Sequence, residues 1–280
     1  MTAKRTILVT GASSGIGLAA SHALKQRGWR VFATARRTAD LDMLQAAGIE
    51  PLYLDYTEAD SIEACAREVL RRTGGTLDAL FNNGAYAQPG ALEDIPADLL
   101  RHQMEANFIG WHALTRAVIP AMRAQGHGRI VHCSSVLGLI AMKFRGPYVS
   151  SKFALEGYCD VLRMELAPAG IHVCLIEPGP IRSRFVETAL RHFRDNIDHD
   201  ASPHRALYRK RLARMEAGGA GRFKLEPEAV VAKLVHAVES RRPRARYPVT
   251  VPARLFSWLR RFIPGSLMDR ILSRLSNEGN

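Results

Sequence analysis

The sequence predicts an α/β protein in which helices cover both faces of one parallel sheet. Short runs rich in Val, Ile, Leu and Phe alternate with longer segments of helical periodicity from the first residues onward. The strand candidates show no strict polar–apolar alternation, as expected when both faces of a parallel sheet are buried. Regular strand–helix alternation in turn indicates right-handed βαβ units and a doubly wound sheet.

Each element is predicted from a compact apolar core or a helical period, and glycines stand where several helices should end. The strands are predicted over Thr6–Thr10, Arg30–Thr34, Glu50–Leu54, Leu77–Asn82, Arg129–Ser134, His172–Glu177 and Arg246–Val251. The helices are predicted over Ile16–Arg27, Leu41–Ala46, Ser61–Arg72, Leu99–Ala124, Tyr148–Leu166 and Glu226–Ser240.

Composition excludes several classes of protein. The 280 residues, 47% hydrophobic and 24% charged, suit one large soluble domain rather than a disordered or collagen-like chain. The four cysteines form no CxxC pair and the histidines no ligand-spaced group, so we expect no disulfide framework, no metal site and a reducing compartment. No run of about 18 apolar residues occurs, so we expect no spanning helix and a cytoplasmic protein.

Charge is concentrated at the C-terminus. The net charge is +12, and residues 241–280 contain nine arginines against Asp269 and Glu278. Two amphipathic segments within 252–275 suit packing on the domain or a partner subunit, a flap over the substrate mouth, or, as a second choice, peripheral membrane contact. The charge comes without interleaved aromatic motifs, so we expect no nucleic acid partner.

A glycine-rich turn follows the first predicted strand and opens a helix. In Thr10–Gly17, Gly11 permits a tight turn, while Gly15 and Gly17 let the backbone approach a pyrophosphate at the positive end of the helix. A purely structural turn is the alternative. The same site is expected to include the other residues of the turn: Ser13, Ser14 and Ile16.

Tyr148 and Lys152 are four residues apart on a predicted helix, which places them on one face. A free tyrosine has a pKa of about 10, and a neighbouring ammonium favours the phenolate. We therefore expect Lys152 to lower the pKa of Tyr148 towards the working range of an acid–base catalyst. Ser135 stands thirteen residues before the tyrosine, at the end of the fifth strand.

Together these motifs resemble the short-chain dehydrogenase/reductase superfamily over roughly residues 5–250. The resemblance implies a single Rossmann-type domain over residues 1–251 with a seven-stranded parallel sheet, a substrate region at 180–225 and a helical extension at 252–280. One departure is Asn82-Asn-Gly-Ala85, where the family usually has Asn-Asn-Ala-Gly; both residues are small, so close packing should be kept. The matching positions are Thr10–Gly17, Asn82–Ala85, Asn107, Ser135, Tyr148, Lys152 and Pro178–Ile181.

The resemblance implies a role for each matching catalytic residue. Tyr148 protonates the carbonyl oxygen as hydride arrives, Lys152 lowers the pKa of Tyr148 and binds the nicotinamide ribose, and Ser135 holds the substrate oxygen. Asn107 positions the water of a proton relay. The resemblance also implies cofactor contacts for five further residues: Asn83 at the ribose, Pro178, Gly179 and Ile181 at the nicotinamide, and Asp55 at the adenine. A turn or capping aspartate is the alternative for Asp55.

The end of the second predicted strand bears on the choice of cofactor. Arg36 and Arg37 follow it, and no carboxylate appears before Asp40. NAD sites place a carboxylate here for the ribose diol, whereas a guanidinium binds a 2′-phosphate through two hydrogen bonds. We therefore predict NADP(H) over NAD(H). The alternative is that both arginines cap a helix or face water.

The predicted substrate is a small apolar carbonyl compound or alcohol. The C-terminal segments, beginning at Arg246-Tyr-Pro-Val249, resemble a bacterial group related to aldehyde reductases and to retinol and hydroxysteroid dehydrogenases. We expect a homodimer or homotetramer; a 3-oxoacyl reductase and a non-catalytic NADP(H)-sensing protein are the alternatives. The alternative for the expected substrate walls is that they pack the helices against the domain. These walls are Leu139, Met142, Phe144, Phe185, Leu190, Phe193, Leu207, Tyr208, Leu212 and Met215.

Overall fold

The computed structural model describes residues 4–216, 224–260 and 262–278, with the side chains of 214, 215, 275, 277 and 278 left out. Part of the expected substrate region, including the Met215 side chain, thus lies outside the described residues. The seven strands form one parallel sheet in the order β3-β2-β1-β4-β5-β6-β7, which confirms the predicted fold class. The strands are β1 Thr6–Val9, β2 Arg30–Ala35, β3 Glu50–Tyr53, β4 Ala79–Asn82, β5 Gly128–Cys133, β6 Ile171–Glu177 and β7 Arg246–Pro248.

Helices connect the strands and extend the chain beyond β7. They are α1 Gly15–Gln26, α2 Thr38–Ala46, α3 Ala59–Arg72, α4 Ala97–Met104, α5 Gly110–Gln125, α6 Gly146–Leu166, α7 Phe185–Asn196, α8 Arg205–Glu216, α9 Glu228–Glu239, α10 Val251–Leu259 and α11 Gly265–Glu278. The single helix expected over Leu99–Ala124 is divided, because a π-helical turn at Glu105–Ile109 joins α4 to α5. The chain stays helical through such a turn, so the helical pattern of the sequence does not reveal it.

The strand order reverses at β1, which pairs with β2 on one side and with β4 on the other. In open α/β sheets the ligand crevice lies beyond the carboxyl ends of the strands at such a switch point. The segments that follow β1, β4, β5 and β6 therefore meet at one edge of the sheet. These segments contain the glycine turn, Asn83, Ser135 and Pro178.

The C-terminal segments pack on the domain. The last strand ends at Pro248 rather than at the expected Val251, because Thr250 caps α10 by accepting a hydrogen bond from the Ala253 N–H at 3.3 Å. α10 then packs against β7 and Val136–Gly138. In α11 the Ser276 hydroxyl accepts a hydrogen bond from the Lys143 N–H at 3.4 Å. Within the described residues, no helix is both long and apolar enough to span a bilayer.

Candidate active site

The glycine turn after β1 is built on a close approach of two backbone segments. Gly11 has φ +64°, and a Cβ on it would lie 2.4 Å from the Gly84 Cα. Gly17 is packed as tightly, because its Cβ would lie 2.3 Å from the Gly11 carbonyl oxygen. Glycine is thus required at Gly11 by both conformation and space, and at Gly17 by space.

The start of α1 offers a place for an anion. Ser14 precedes the helix in an extended conformation, and in the described chain its side chain accepts no capping hydrogen bond. The first turn, opened by Gly15 and Ile16, has no acidic residue to offset the positive end of the helix. Arg184 adds a guanidinium here, donating to the Ser13 carbonyl oxygen at 3.1 Å. These groups fit the pyrophosphate of a dinucleotide.

Asn83 joins the end of β4 to the glycine turn. Its side-chain amide donates to the carbonyl oxygens of Thr10 and Gly11 at 3.1 and 3.3 Å, and its N–H donates to the Thr10 hydroxyl at 2.8 Å. A Cβ on Gly84 would meet the Gly11 Cα and N at 3.2 Å. The exchanged Gly-Ala order therefore places the smaller residue at the tight contact, and the close packing expected from the sequence is kept.

The residues expected at the adenosine end form two ion pairs. Arg37 is bound twice by Asp40, at 2.7 and 2.8 Å, while Arg36 contacts Asp55 at 3.2 Å with 69% of its side chain exposed. Asp55 also accepts hydrogen bonds from the Thr57 N–H and hydroxyl, so the turn role proposed for it is present. Burial raises the pKa of Asp55, but the bonds from Thr57 and Arg36 outweigh it and hold the pKa below its usual range. Arg36 is thus the more available guanidinium.

The three predicted catalytic side chains converge beyond β5. Ser135 follows the strand by two residues and accepts a hydrogen bond from the Leu137 N–H at 3.1 Å, and its hydroxyl is close enough to the Tyr148 side chain to lower the pKa of that phenol. Tyr148 lies in the first turns of α6. One turn further along, the Lys152 ammonium lies 5.6 Å from the centroid of the Tyr148 ring and donates to the Cys133 carbonyl oxygen at 2.8 Å.

Burial dominates the titration of this group. Tyr148 is 8% exposed, since it packs with Ala87 and Ala189 and the Phe185 ring lies 5.4 Å away. Burial raises the pKa of Tyr148, which is opposite to the lowering expected from the sequence. The ammonium of Lys152 does not reverse this, and burial lowers its own pKa to about 8.

The Lys152 ammonium contacts an aromatic ring that the sequence does not predict. The ring centroid of Trp111, a fully buried residue of α5, lies 4.3 Å from the Lys152 ammonium, and the indole N–H donates to the Gly84 carbonyl oxygen at 3.0 Å. The His132 ring stacks on the indole, with the ring centroids 5.8 Å apart. Burial lowers the pKa of His132 to about 3, so this imidazole is neutral beside the ammonium. No sequence motif marks Trp111, because its role depends on how α5 meets α6.

Asn107 lies in the π-helical turn and is fully buried. Its side-chain oxygen accepts from the Tyr86 N–H at 3.2 Å, and its amide donates to the Tyr86 carbonyl oxygen at 2.9 Å and to the Ser151 hydroxyl at 3.4 Å. The side chain therefore fastens the segment after β4 to α6. Its expected placement of a relay water stays a prediction.

The segment after β6 closes the opposite wall. The Pro178 carbonyl oxygen accepts from the Val136 N–H at 2.8 Å and lies 3.5 Å from the Ser135 hydroxyl. A Cβ on Gly179 would lie 2.1 Å from the Thr250 hydroxyl oxygen, so only glycine fits there. Ile181 pairs with Leu225 in a short parallel bridge. Pro178 thus lies beside Ser135, and the expected contacts of Pro178, Gly179 and Ile181 with the nicotinamide stay a prediction.

Several of the expected substrate walls pack on each other instead. Phe193 and Tyr208 are buried with their rings 4.9 Å apart, and Phe144 and Leu212 pack against them in a small second core. The Tyr208 hydroxyl donates to Asp94 at 2.6 Å and accepts from the Ala91 N–H at 2.7 Å. The packing alternative therefore describes this group better, whereas the Phe185 ring does contact Tyr148.

Comparison with known proteins shows which family the chain is similar to. The family model described as "short chain dehydrogenase" matches residues 5–193. The chain is 41% identical over 269 residues to the uncharacterized oxidoreductase YbbO of Escherichia coli (strain K12), covering 96% of this chain and 94% of the relative. It is 30% identical over 286 residues to an NADPH-dependent 3-dehydrocapnine reductase of Ornithobacterium rhinotracheale, covering 98% and 99%.

A solved short-chain dehydrogenase from Streptomyces avermitilis has a TM-score of 0.75 and 30% identity, with 98% of this chain and 96% of that chain covered. Other solved proteins of this fold carry NADP, NAD or NADPH, and the glycine turn, α1 and the Ser135–Tyr148–Lys152 group fit a nicotinamide dinucleotide. The chain belongs to the short-chain dehydrogenase family and is an oxidoreductase of that family.

Proposed function

We propose that this protein is an NADP(H)-dependent oxidoreductase that interconverts an apolar aldehyde or ketone and the corresponding alcohol. The observation that carries the proposal is the convergence of Ser135, Tyr148 and Lys152 beside the Pro178 segment. A phenol, a serine hydroxyl and an ammonium are the groups needed to bind a carbonyl oxygen and to supply its proton.

When bound, the nicotinamide supplies or accepts the hydride. Ser135 then binds the substrate oxygen, and Tyr148 donates its phenolic proton to that oxygen as the carbonyl carbon is reduced. Because burial keeps the pKa of Tyr148 high, the phenol is the form present at neutral pH and is ready to donate. Lys152, whose ammonium lies beside the ring, stabilises the phenolate left behind until a proton from solvent restores the phenol.

The choice of NADP(H) is supported by Arg36, which is exposed at the end of β2 and held by a single carboxylate contact. Its guanidinium can exchange Asp55 for a 2′-phosphate, and the 3-dehydrocapnine reductase is named as NADPH-dependent. The test is the ratio of kcat/KM with NADPH to that with NADH. We expect a ratio above one that falls at least about tenfold in Arg36→Ala, with the exposed Arg67→Ala of α3 as the control. A preference for NADH overturns this choice.

An apolar substrate is supported by what surrounds the catalytic tyrosine. Ala87, Leu137, Phe185 and Ala189 pack around the Tyr148 ring. We expect kcat/KM to rise along a series of aldehydes and ketones of increasing chain length, followed by NADPH absorbance. A value that is independent of chain length, or that favours charged carbonyl compounds, contradicts an apolar substrate.

A cytoplasmic homodimer or homotetramer also belongs to the proposal. The oligomeric state is supported by exposed apolar side chains on the outer face of α6. Phe153, Val161 and Met164 are 37%, 51% and 69% exposed there. Light scattering of the purified protein measures the mass directly. A monomer at micromolar concentration contradicts it.

A further inference from the structure

The outward side of α10 is apolar. Val251, Leu255, Trp258 and Phe262 recur at helical spacing and are 66%, 51%, 61% and 66% exposed; we call these four residues the α10 face. The rings of Trp258 and Phe262 lie 4.7 Å apart, so the two aromatic side chains form one surface. A surface helix of a soluble domain normally turns its apolar stripe inward, but in α10 the buried residue is the small Ala253, and Phe256 and Leu259 are only half-buried.

The α10 face lies in a segment of purely positive charge. Residues 241–268 contain seven arginines and no aspartate or glutamate. Arg246 is neutralised within the domain by Glu156, Asp160 and Glu177. Arg254 and Arg260 belong to the same helical segment as the face, and Arg260 lies over the exposed Phe153 ring at 5.3 Å. The surface thus combines exposed aromatic rings with guanidinium groups.

We propose that the α10 face binds the surface of an anionic lipid bilayer. Aromatic side chains at the headgroup level, with arginines beside them, are the combination that inserts into such an interface. A symmetric contact between two copies would place the same positive segments against each other, with no acidic residue of 241–268 to balance them. The bilayer supplies both the apolar environment and the negative charge.

The α10 face lies close to the candidate active site, so lipid binding through this face would bring the site near the bilayer. α10 packs against Val136–Gly138, directly after Ser135, and Ser276 of α11 contacts the backbone of Lys143. A protein bound through the α10 face would hold its catalytic crevice near the lipid, where an apolar carbonyl compound dissolves. This consequence rests on the proposed function, whereas the lipid binding does not.

Trp258 provides a direct optical test. It is exposed, while Trp29 and Trp111, the other two tryptophans, are 4% and 0% exposed. Vesicles of equal parts phosphatidylglycerol and phosphatidylcholine should shift the tryptophan emission of the full chain to shorter wavelength, and pure phosphatidylcholine should not. The shift should disappear in Trp258→Phe. An unchanged emission spectrum with anionic vesicles overturns the proposal.

Co-sedimentation measures the affinity. We expect Trp258→Ser with Phe262→Ser to weaken binding to the same anionic vesicles at least about tenfold, since two aromatic side chains are lost from the contact. Arg254→Glu should weaken it as well and should reduce its dependence on salt. The matched control is Leu92→Ser, which removes a 64% exposed apolar side chain elsewhere. Undiminished sedimentation of the double variant contradicts lipid binding by this face.

Two further measurements separate this proposal from its alternatives. The first is the molecular mass in solution, measured by light scattering without vesicles. If the double variant forms a smaller oligomer than the natural chain, the α10 face is a subunit contact and the lipid proposal fails. Turnover of a water-soluble aldehyde by the double variant reports on the catalytic site alone. Loss of lipid binding with retained turnover supports the proposal, and the absence of turnover in both proteins refutes only the proposed function.

Discussion

Replacing Trp111 with leucine tests what holds Lys152 in its charged form. The Lys152 side chain is 1% exposed, and the groups that face its ammonium are Cys133 and His132 of β5, Tyr148 and Cys159 of α6, and Trp111 of α5. Burial keeps both thiols neutral by raising their pKa values, and the imidazole is neutral too. The contacts that stabilise the positive charge are therefore the Cys133 carbonyl oxygen at 2.8 Å and the indole face at 4.3 Å.

The size of the expected change in the pKa of Lys152 follows from the burial of both side chains. A cation–π contact between buried groups contributes about 2 kcal/mol, and about 1.4 kcal/mol corresponds to one pH unit in a pKa. Trp111→Leu should thus lower the pKa of Lys152 by about one to one and a half pH units. An ammonium that is needed for activity is then lost at lower pH, so the alkaline limb of kcat/KM for carbonyl reduction moves to lower pH.

The assay is the pH profile of NADPH-dependent reduction for the natural chain, Trp111→Leu and Trp111→Phe. The phenylalanine variant loses the hydrogen bond from the indole N–H to Gly84 but keeps a ring under the ammonium. Because the ring is kept, the alkaline limb of its kcat/KM profile should move less than that of the leucine variant. A merely structural role would lower activity at every pH and leave the limb in place. That result in a folded leucine variant refutes the electrostatic role.

Three further changes test the site. Tyr148→Phe should lower kcat by about two to four orders of magnitude while NADPH still binds in a fluorescence titration, and unchanged turnover refutes the acid role. Gly11→Ala should lower the free energy of unfolding by more than about 1 kcal/mol in urea denaturation, because φ is +64° and the new Cβ meets the Gly84 backbone; a smaller loss contradicts this account. Phe185→Ala should lower the pKa of Tyr148 by admitting water, seen in the ultraviolet titration of tyrosine, and an identical titration shows that Phe185 does not cover the phenol.

The arrangement of the crevice could be predicted because each motif follows a strand. The sequence places Gly11, Asn83, Ser135 and Pro178 directly after four apolar runs, and parallel strands bring their carboxyl ends to one edge. The four-residue spacing of Tyr148 and Lys152 likewise fixes their common helix face without knowledge of the tertiary structure.

What could not be predicted depends on packing between distant elements. The direction of the Tyr148 pKa is set by Phe185 and Ala189 of α7, and no local pattern shows that this helix covers the phenol. The same holds for Trp111, whose ring meets Lys152 only because α5 and α6 are neighbours. Arg37 is a different case, since Asp40 three residues later was visible and its ion pair could have been expected.

From the pKa values of Tyr148 and Lys152 we expect kcat/KM to depend on pH in opposite ways for reduction and for oxidation. In the proposed mechanism, reduction needs the phenol of Tyr148 and the ammonium of Lys152. Because the pKa of Tyr148 is raised and that of Lys152 is about 8, both forms prevail below pH 8, and kcat/KM for reduction should be flat there and fall above it.

Oxidation of the alcohol needs the phenolate together with the ammonium, a form one proton poorer. Its fraction grows with pH up to the pKa of Lys152 and is constant between the two pKa values, so kcat/KM for oxidation should rise to about pH 8 and then level off. Carbonyl reduction consumes one proton, so the ratio of kcat/KM for reduction to kcat/KM for oxidation must fall tenfold per pH unit. The slopes of the two pH profiles must therefore change at the same pH. Measuring both directions with the same substrate pair checks this. Breaks at different pH values would mean that a group other than Lys152 controls the proton transfer.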